Sequence, residues 1–556
     1  MSKGKIKSDW DSLEIQTGKR TKKYRFFEML PGILSYGMII LLFVLSFVMP
    51  MLGSIYLLII ITTTLVKAIG VAYRTVQGYN TVQKAENVDW HARMEDLEEP
   101  HEAYERLSQS SGKALTKQYG FDEHLDNLLV MAANGKADDD KFPDPKEVIH
   151  AVIMTAYNEG LKTLVPSVEA VRDTSFPNER IIFILGYEER GGEEMEKTAK
   201  ELKEKFKDTF KEFMLVKHPV DLPDEIQGKG PNLCYAGKAL EKYCEQRHIR
   251  PERVVVTSLD SDNRMSKSYL DYVAYEYIVR PDRQRLSYQP VSIFMNNIWE
   301  AKAPMRIIAI SNSFFNIIST MRPHTLKNFA SHSQPLAALI DMNFWSKRTI
   351  VEDGHQYWRS LFHFHGKYEV VPIHVPMYQD AVMEETFWKT LKAQFIQLRR
   401  WDYGASDVAY VGVRLFSKDR KTKGKMDFFP LFCKFVRLLD GHVMLAAMSP
   451  IVAFGGWVPR LVNYDSRNMI TVNLPNTVSA VQTVAAIGLM VTIVISLRMI
   501  PPRPKNPTKL SKLKMVVQWV LMPVVAIAYQ SAAAFYSQTR LFIGKYMEKF
   551  DVTKKM

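Results

Sequence analysis

"RVVVTSLDSD", residues 253–262, is a β-branched apolar run that ends abruptly in two acids separated by one serine. Such a run reads as a buried strand, since Val and Thr favour extended backbone and no charged residue interrupts it before Asp260. Three more stretches share this form: "VIHAVIMTAYNE" (148–159), "RIIFILGYEER" (180–190) and "FMLVKHP" (213–219). Between them lie helix-patterned segments, "GLKTLVPSVEAVRDT" (160–174), "EEMEKTAKELKEKFKDTFKEF" (193–213) and "NLCYAGKALEKYCEQR" (232–247). Strands alternating with helices predict an α/β domain with a parallel sheet and crossover helices. Ligands of such sheets bind beyond the carboxyl ends of the strands. Those ends carry Asn158 and Glu159, Glu188 and Glu189, and Asp260 and Asp262.

The 556 residues are too many for one usual domain, and the apolar residues are unevenly spread. Residues 1–30 form a basic leader, expected on the cytoplasmic side. The apolar run 34–73 is about twice what one crossing needs. Pro50 and Gly53 mark a break, so residues 31–75 predict a transmembrane hairpin. Residues 76–146 read as a charged helical connector on the domain surface, and 147–425 as the soluble domain. Residues 426–549 return to interface and membrane character. Spans are expected near 436–457 and 477–498, and a segment at 515–546 is too long for one crossing and short for two. The formal charge of +13 suits an anionic membrane surface or phosphate-bearing ligands. No nucleic-acid-binding motif accompanies that charge, so nucleic acid is not an expected partner. Three cysteines without paired spacing argue against a disulfide framework.

Several short motifs carry chemistry. In "DSD", Asp260 and Asp262 can share a divalent cation, and hard oxygen ligands favour Mg²⁺ or Mn²⁺. The same acids could instead cap a loop. "GKGPN" (228–232) offers close backbone approach and the charge of Lys229 for a phosphate, or is a turn ahead of a helix. Glu352 and Asp353 in "VEDGHQYW" stand at a predicted helix start, where a carboxylate complements the helix dipole or acts as a general base. "QFIQLRRWDYG" (394–404) gathers Gln397, Arg399, Arg400 and Trp401, able to hold a phosphate and a sugar ring, or to sit in an interfacial belt. His355, His363, His365 and His374 lack compact zinc spacing and read as packing or surface residues.

Taken in order, "TAYNE", "GKGPN", "DSD", "VED" and "QLRRW" resemble the motif series of processive-type family 2 glycosyltransferases, the group of cellulose, chitin and hyaluronan synthases. "FDVTKK" (550–555) is similar to the gating-loop motif of cellulose synthases. The resemblance covers about residues 148–410. It implies a GT-A nucleotide-diphospho-sugar transferase domain, a Rossmann-like mixed sheet, inserted between N- and C-terminal transmembrane helices. It further implies an inverting hexosyl transfer from a nucleotide sugar, a UDP-sugar first, to a glycan or lipid acceptor. The setting would be polysaccharide synthesis at the plasma membrane, with the catalytic domain cytoplasmic. By the same resemblance Tyr157, Glu159 and Glu188 line the base and ribose, and Lys229, Gln397 and Arg400 hold the diphosphate. Asp260 and Asp262 contact donor and metal, Asp353 is the base, and Glu352 and Trp401 face the acceptor. Thr553 and Lys555, in the tail 550–556, close over the nucleotide. Glu188, Glu189 and Arg190 stand where the family has an Asp pair, and "NFASHSQP" (328–335) replaces a Gly-rich acceptor-side segment. A nonprocessive lipid glycosyltransferase shares much of this motif set. A silent nucleotide-binding scaffold is the reading from another class.

Overall fold

The computed structural model describes residues 10 and 12–547, apart from 17, 19, 110–116, 135–140, 465–468 and 502–508. Its described residues fall into two compact units. One draws on the described residues up to Gln77, on Asn297–Phe314 and on those from Ala381 onward, the other on those of Gly78–Asn296 and Phe315–Asp380. Residues 297–314 and 381–425, read from sequence as part of one domain, therefore group with the apolar unit.

The second unit is an α/β domain. Its strands are β1 (Ile149–Ala156), β2 (Ile181–Glu188), β3 (Glu212–His218), β4 (Val254–Asp260), β5 (Arg264–Met265), β6 (Leu286–Ile293), β7 (Ser333–Pro335) and β8 (Glu369–Tyr378). They form one sheet in the order β3-β2-β1-β4-β7-β6-β8-β5. The β3-β2-β1-β4 half is parallel, with Thr155 level with Asp260 and Gly186. β2, apolar from Ile181 to Leu185 and ending in Glu188, is buried along its whole length, as a strand covered on both faces requires. β7 turns the sheet, pairing antiparallel to both β4 and β6, while β6 and β8 run parallel. The α/β class with apolar helices flanking it at both ends is thus as the sequence predicts.

The connector's helices pack an apolar face onto the domain and leave most of their charged residues outside. Trp90 is buried, stacks on Tyr272 at 3.5 Å between ring centroids, and donates its indole N–H to the Ala85 carbonyl. Val88, Met94, Leu97, Leu128 and Met131 join the same core as β1 and β2. Burying an indole and five such side chains outweighs the charged residues that dominate the connector's composition.

Among the described residues five helices are long and apolar enough to cross a membrane: Lys22–Val48, Pro50–Glu86, Phe428–Val462, Thr471–Met499 and Leu513–Ile543. The first two are broken at Met49 and Pro50, where proline starts a new helix. Gly53 is not part of that break. It lies inside the second helix, where an added Cβ would meet Ser46 at 2.4 Å, so its role is close helix approach. Leu42, Leu57, Ile60, Ala447, Ile451, Leu474 and Val478 share one apolar cluster that ties four of these helices together. The ambiguous segment 515–546 forms a single helical path with a short 3₁₀ stretch and a π stretch instead of a hairpin at Pro523. Such local re-pairing accommodates a proline within a long helix.

Candidate active site

The site is built at the carboxyl end of β4. Asp260 closes the strand, and the loop after it is tied down from two sides. Ser167, on the helix Leu161–Arg172, donates its hydroxyl to the Ser261 carbonyl at 2.8 Å. Ser331 accepts the Asp260 N–H at 3.2 Å and is also hydrogen-bonded by Asn263. Ser331 holds φ +59°, an uncommon backbone state for a residue with a side chain, and is fully buried. Sequence reasoning noticed its segment only as a departure from a motif. The hydroxyl-rich string Ser331, His332, Ser333 was the available signal, because β7 brings that string alongside β4. Asp262 is buried, and its Oδ2 accepts the Asp380 N–H at 3.2 Å.

Lys229 sits at the start of the helix Lys229–Gln246, so "GKGPN" is that helix's first turn. Gly230 is needed there because an added Cβ would lie 2.4 Å from the Ser346 carbonyl. The space is filled by the protein's own backbone, where the sequence suggested room for a ligand. Asn232 anchors the turn by donating to the Gly186 carbonyl of β2 at 2.9 Å. The Lys229 ammonium lies 2.7 Å from Asp260 Oδ1, 3.2 Å from Asp353 Oδ1 and 3.5 Å from Glu352 Oε1. Three motifs far apart in the chain therefore meet on one cation. Burial works against the charged ammonium, but the three carboxylates together outweigh it and raise the Lys229 pKa above its usual range. Lys229, expected to contact phosphate, is ion-paired with these carboxylates.

Glu352 and Asp353 begin the helix Glu352–His363 and part company there. Glu352 is 3% exposed and Asp353 20%. Burial and then the neighbouring Asp353 push Glu352 up to about 8, although Lys229 pulls the other way. Adjacent acids thus have different environments, one enclosed and one open, the usual condition for separate roles. The carboxylate of Glu352, expected on the acceptor side, faces Lys229.

At the ends of β1 and β2 a second cluster forms. Glu159 accepts the Tyr157 and Asn158 N–H groups at 2.7 and 3.1 Å through Oε2, and the Ser261 hydroxyl at 3.3 Å through Oε1. It braces the loop from which Tyr157 projects. Glu188 is buried and bound by Arg190 through Nε, at 2.7 Å, and Nη2. Burial raises the Glu188 pKa and the guanidinium opposes that rise. The Arg190 guanidinium lies over the Tyr157 ring, 4.7 Å from its centroid.

Gln397, Arg400 and Trp401 belong to the helix Phe387–Asp402 of the other unit. Gln397 is buried and accepts from Gln394 at 3.1 Å, while Trp401 is 37% exposed. The preceding Arg399 points to Tyr536, whose hydroxyl it approaches at 3.3 Å. Its carbonyl is held by Ser537. Thr553 and Lys555 lie outside the described residues.

Among the described residues no three His, Cys, Asp or Glu side chains form a ready-made metal cage. The donor set at β4 still fits Mg²⁺ or Mn²⁺. Such ions need only one or two carboxylates and complete their shells with water and phosphate oxygens. Three carboxylates around one ammonium leave net negative charge beside Asp262.

No family model matches the chain, and no curated protein matches it. Among solved structures, one similar chain is the mannosyltransferase PcManGT from Pyrobaculum calidifontis in complex with GDP-Man and Mn²⁺. The identity is 12% over 83% of this chain and 99% of that one, with a TM-score of 0.40. Another is S. aureus TarS 1–349 in complex with UDP-GlcNAc, at 11% identity over 72% and 93% of the two chains and a TM-score of 0.32. GalNAc-T7 with UDP, GalNAc and Mn²⁺ is similar at 10% identity over 53% and 58%, with a TM-score of 0.32.

Proposed function

We propose that the chain is an inverting membrane glycosyltransferase of the processive family 2 type, with a GT-A domain. It would move a hexose from a nucleotide diphosphate donor to a growing glycan at the plasma membrane, with the sheet domain on the cytoplasmic side. The observation that carries this reading is the meeting of Asp260, Glu352 and Asp353 on Lys229 beside the buried Asp262. The sequence resemblance supports it independently.

In this account Asp353 removes the acceptor hydroxyl's proton, a step of about 10²–10⁴-fold in rate. Its partial exposure leaves it reachable, and Lys229 fixes its direction. Asp260 and Asp262 would hold Mg²⁺ or Mn²⁺, which when bound would neutralise charge on the departing diphosphate. Glu352 acts by holding Lys229. Gln397 and Arg400 would grip the diphosphate, Arg400 because its planar fork matches two oxygens, and Trp401 would lie under the acceptor ring. Thr553 and Lys555 would act from the tail. If both termini are cytoplasmic, one of the five apolar helices lies along the membrane instead of crossing it.

A single transfer to a lipid acceptor is the second reading, favoured by the exposed indole of Trp401 on a helix of the apolar unit. Purified protein given a panel of radiolabelled nucleotide sugars decides between them. A labelled polymer supports the synthase reading, a labelled lipid supports the second, and no transfer from any donor rejects both.

A further inference from the structure

By the sequence resemblance the end of β2 would line the donor's base, and an available carboxylate there would select uracil by accepting the N3–H that stands between its two carbonyls. The acids at this position are otherwise engaged. Glu188 Oε2 takes two hydrogen bonds from Arg190, and Glu189 Oε2 accepts the Val220 N–H at 3.1 Å with Lys217 at 3.5 Å from Oε1. Beside them stands a partly exposed cation. Arg190 has five N–H donors in a planar fork. Glu188 takes the side pair, Nε–H and one Nη2–H, and Gln227 Oε1 lies 3.4 Å from Nη1. One hydrogen on each terminal nitrogen remains beyond these contacts.

The fork is held in place by more than its ion pair. Its guanidinium lies over the Tyr157 ring at 4.7 Å. The turn Glu189–Gly191 that carries it is pressed against the β1 loop so closely that a Cβ at Gly191 would lie 2.2 Å from the Tyr157 carbonyl. Arg190 keeps 22% of its side chain exposed, so the held group is still reachable.

We infer that Arg190, positioned by Glu188 and Tyr157, reads the donor's base, and that this base is guanine and not uracil. Guanine presents two adjacent acceptors with no donor between them, O6 and N7, on one edge, and a bidentate arginine is the usual partner of that pair. Uracil has no such edge, since its carbonyls flank an N–H. This inference rests on the nucleotide-sugar reading and refines its expectation of a UDP-sugar.

The test is equilibrium binding of GDP, UDP, ADP and CDP, each with Mn²⁺, to the detergent-solubilised full chain. GDP is expected to bind at least about tenfold more tightly than UDP, within the range one bidentate base contact provides. Arg190→Gln should bring the two within about twofold, and Glu188→Gln, which loosens the fork but keeps its shape, should give an intermediate ratio. Asp262→Asn should weaken every nucleotide equally and leave the GDP/UDP ratio unchanged, which separates base reading from diphosphate binding. UDP binding as tightly as GDP, or an unchanged ratio in a folded Arg190→Gln variant, would overturn the inference while leaving the transferase reading intact. Failure of all four nucleotides to bind would overturn both.

Discussion

The Lys229 ammonium stands 3.2 Å from the Asp353 carboxylate, joining a residue of the first turn after β3 to one that begins a helix 124 positions later. The same ammonium reaches Asp260, so it fixes the distance between the proposed base and the proposed metal-binding loop. Lys229→Met should leave the Asp260 and Asp353 carboxylates without the enclosed ammonium they share. Removing one partner of a buried pair costs about 3–5 kcal/mol. A marked fall in the thermal midpoint together with loss of transfer is expected, and an unchanged midpoint would contradict the arrangement.

Glu352 makes stability depend on pH in a defined direction. Its pKa is raised from 4.5 to about 8, so the folded chain keeps a proton that the unfolded chain releases. That contribution is fully present below about 4.5 and is lost as pH rises through about 8. Glu352→Gln should therefore flatten the stability profile across this window. Thermal unfolding at stepped pH checks it, and a profile as steep as wild type would exclude Glu352 as the source.

Ser331 links strain to the site, since its left-handed backbone presents a hydroxyl to the Asp260 N–H. Ser331→Ala keeps the strain and leaves that N–H without its acceptor, at a cost of about 1–3 kcal/mol. Denaturation should show the loss, and donor binding should weaken with it. Ser331→Thr, which retains the hydroxyl, should keep more of the binding than Ser331→Ala.

The four parallel strands and their crossover helices were readable because β-branched runs alternate cleanly with helical periodicity. β6 and β8 were not, since Pro290, Pro372 and Pro376 interrupt them and prolines argue against a strand. The pairing tolerates this through a register shift between Pro290 and Val291. Which connector residues are buried was not legible, because its charges outnumber Trp90 and its apolar neighbours and only tertiary packing shows that these face the core. Asp260, Glu352 and Asp353 were legible as motif residues. That Lys229 joins them was not, because no local pattern records which distant acids share a cation.

Trp401 and Arg400 should separate by kinetics. Trp401→Ala is expected to raise the acceptor KM by about tenfold with donor binding intact, as loss of a stacked ring implies. Arg400→Lys keeps the charge but loses the fork, and should lower kcat by about 10²-fold if it meets charge that develops on the diphosphate. Equal effects of both variants on donor and acceptor would oppose the division of roles.

The most direct measurement is donor turnover by Asp353→Asn, an isosteric change at a partly exposed position that keeps a polar partner for Lys229. The account predicts wild-type nucleotide binding with transfer reduced by about 10²–10⁴-fold. Turnover equal to wild type would show that Asp353 is not the base and that the carboxylates around Lys229 are a structural knot.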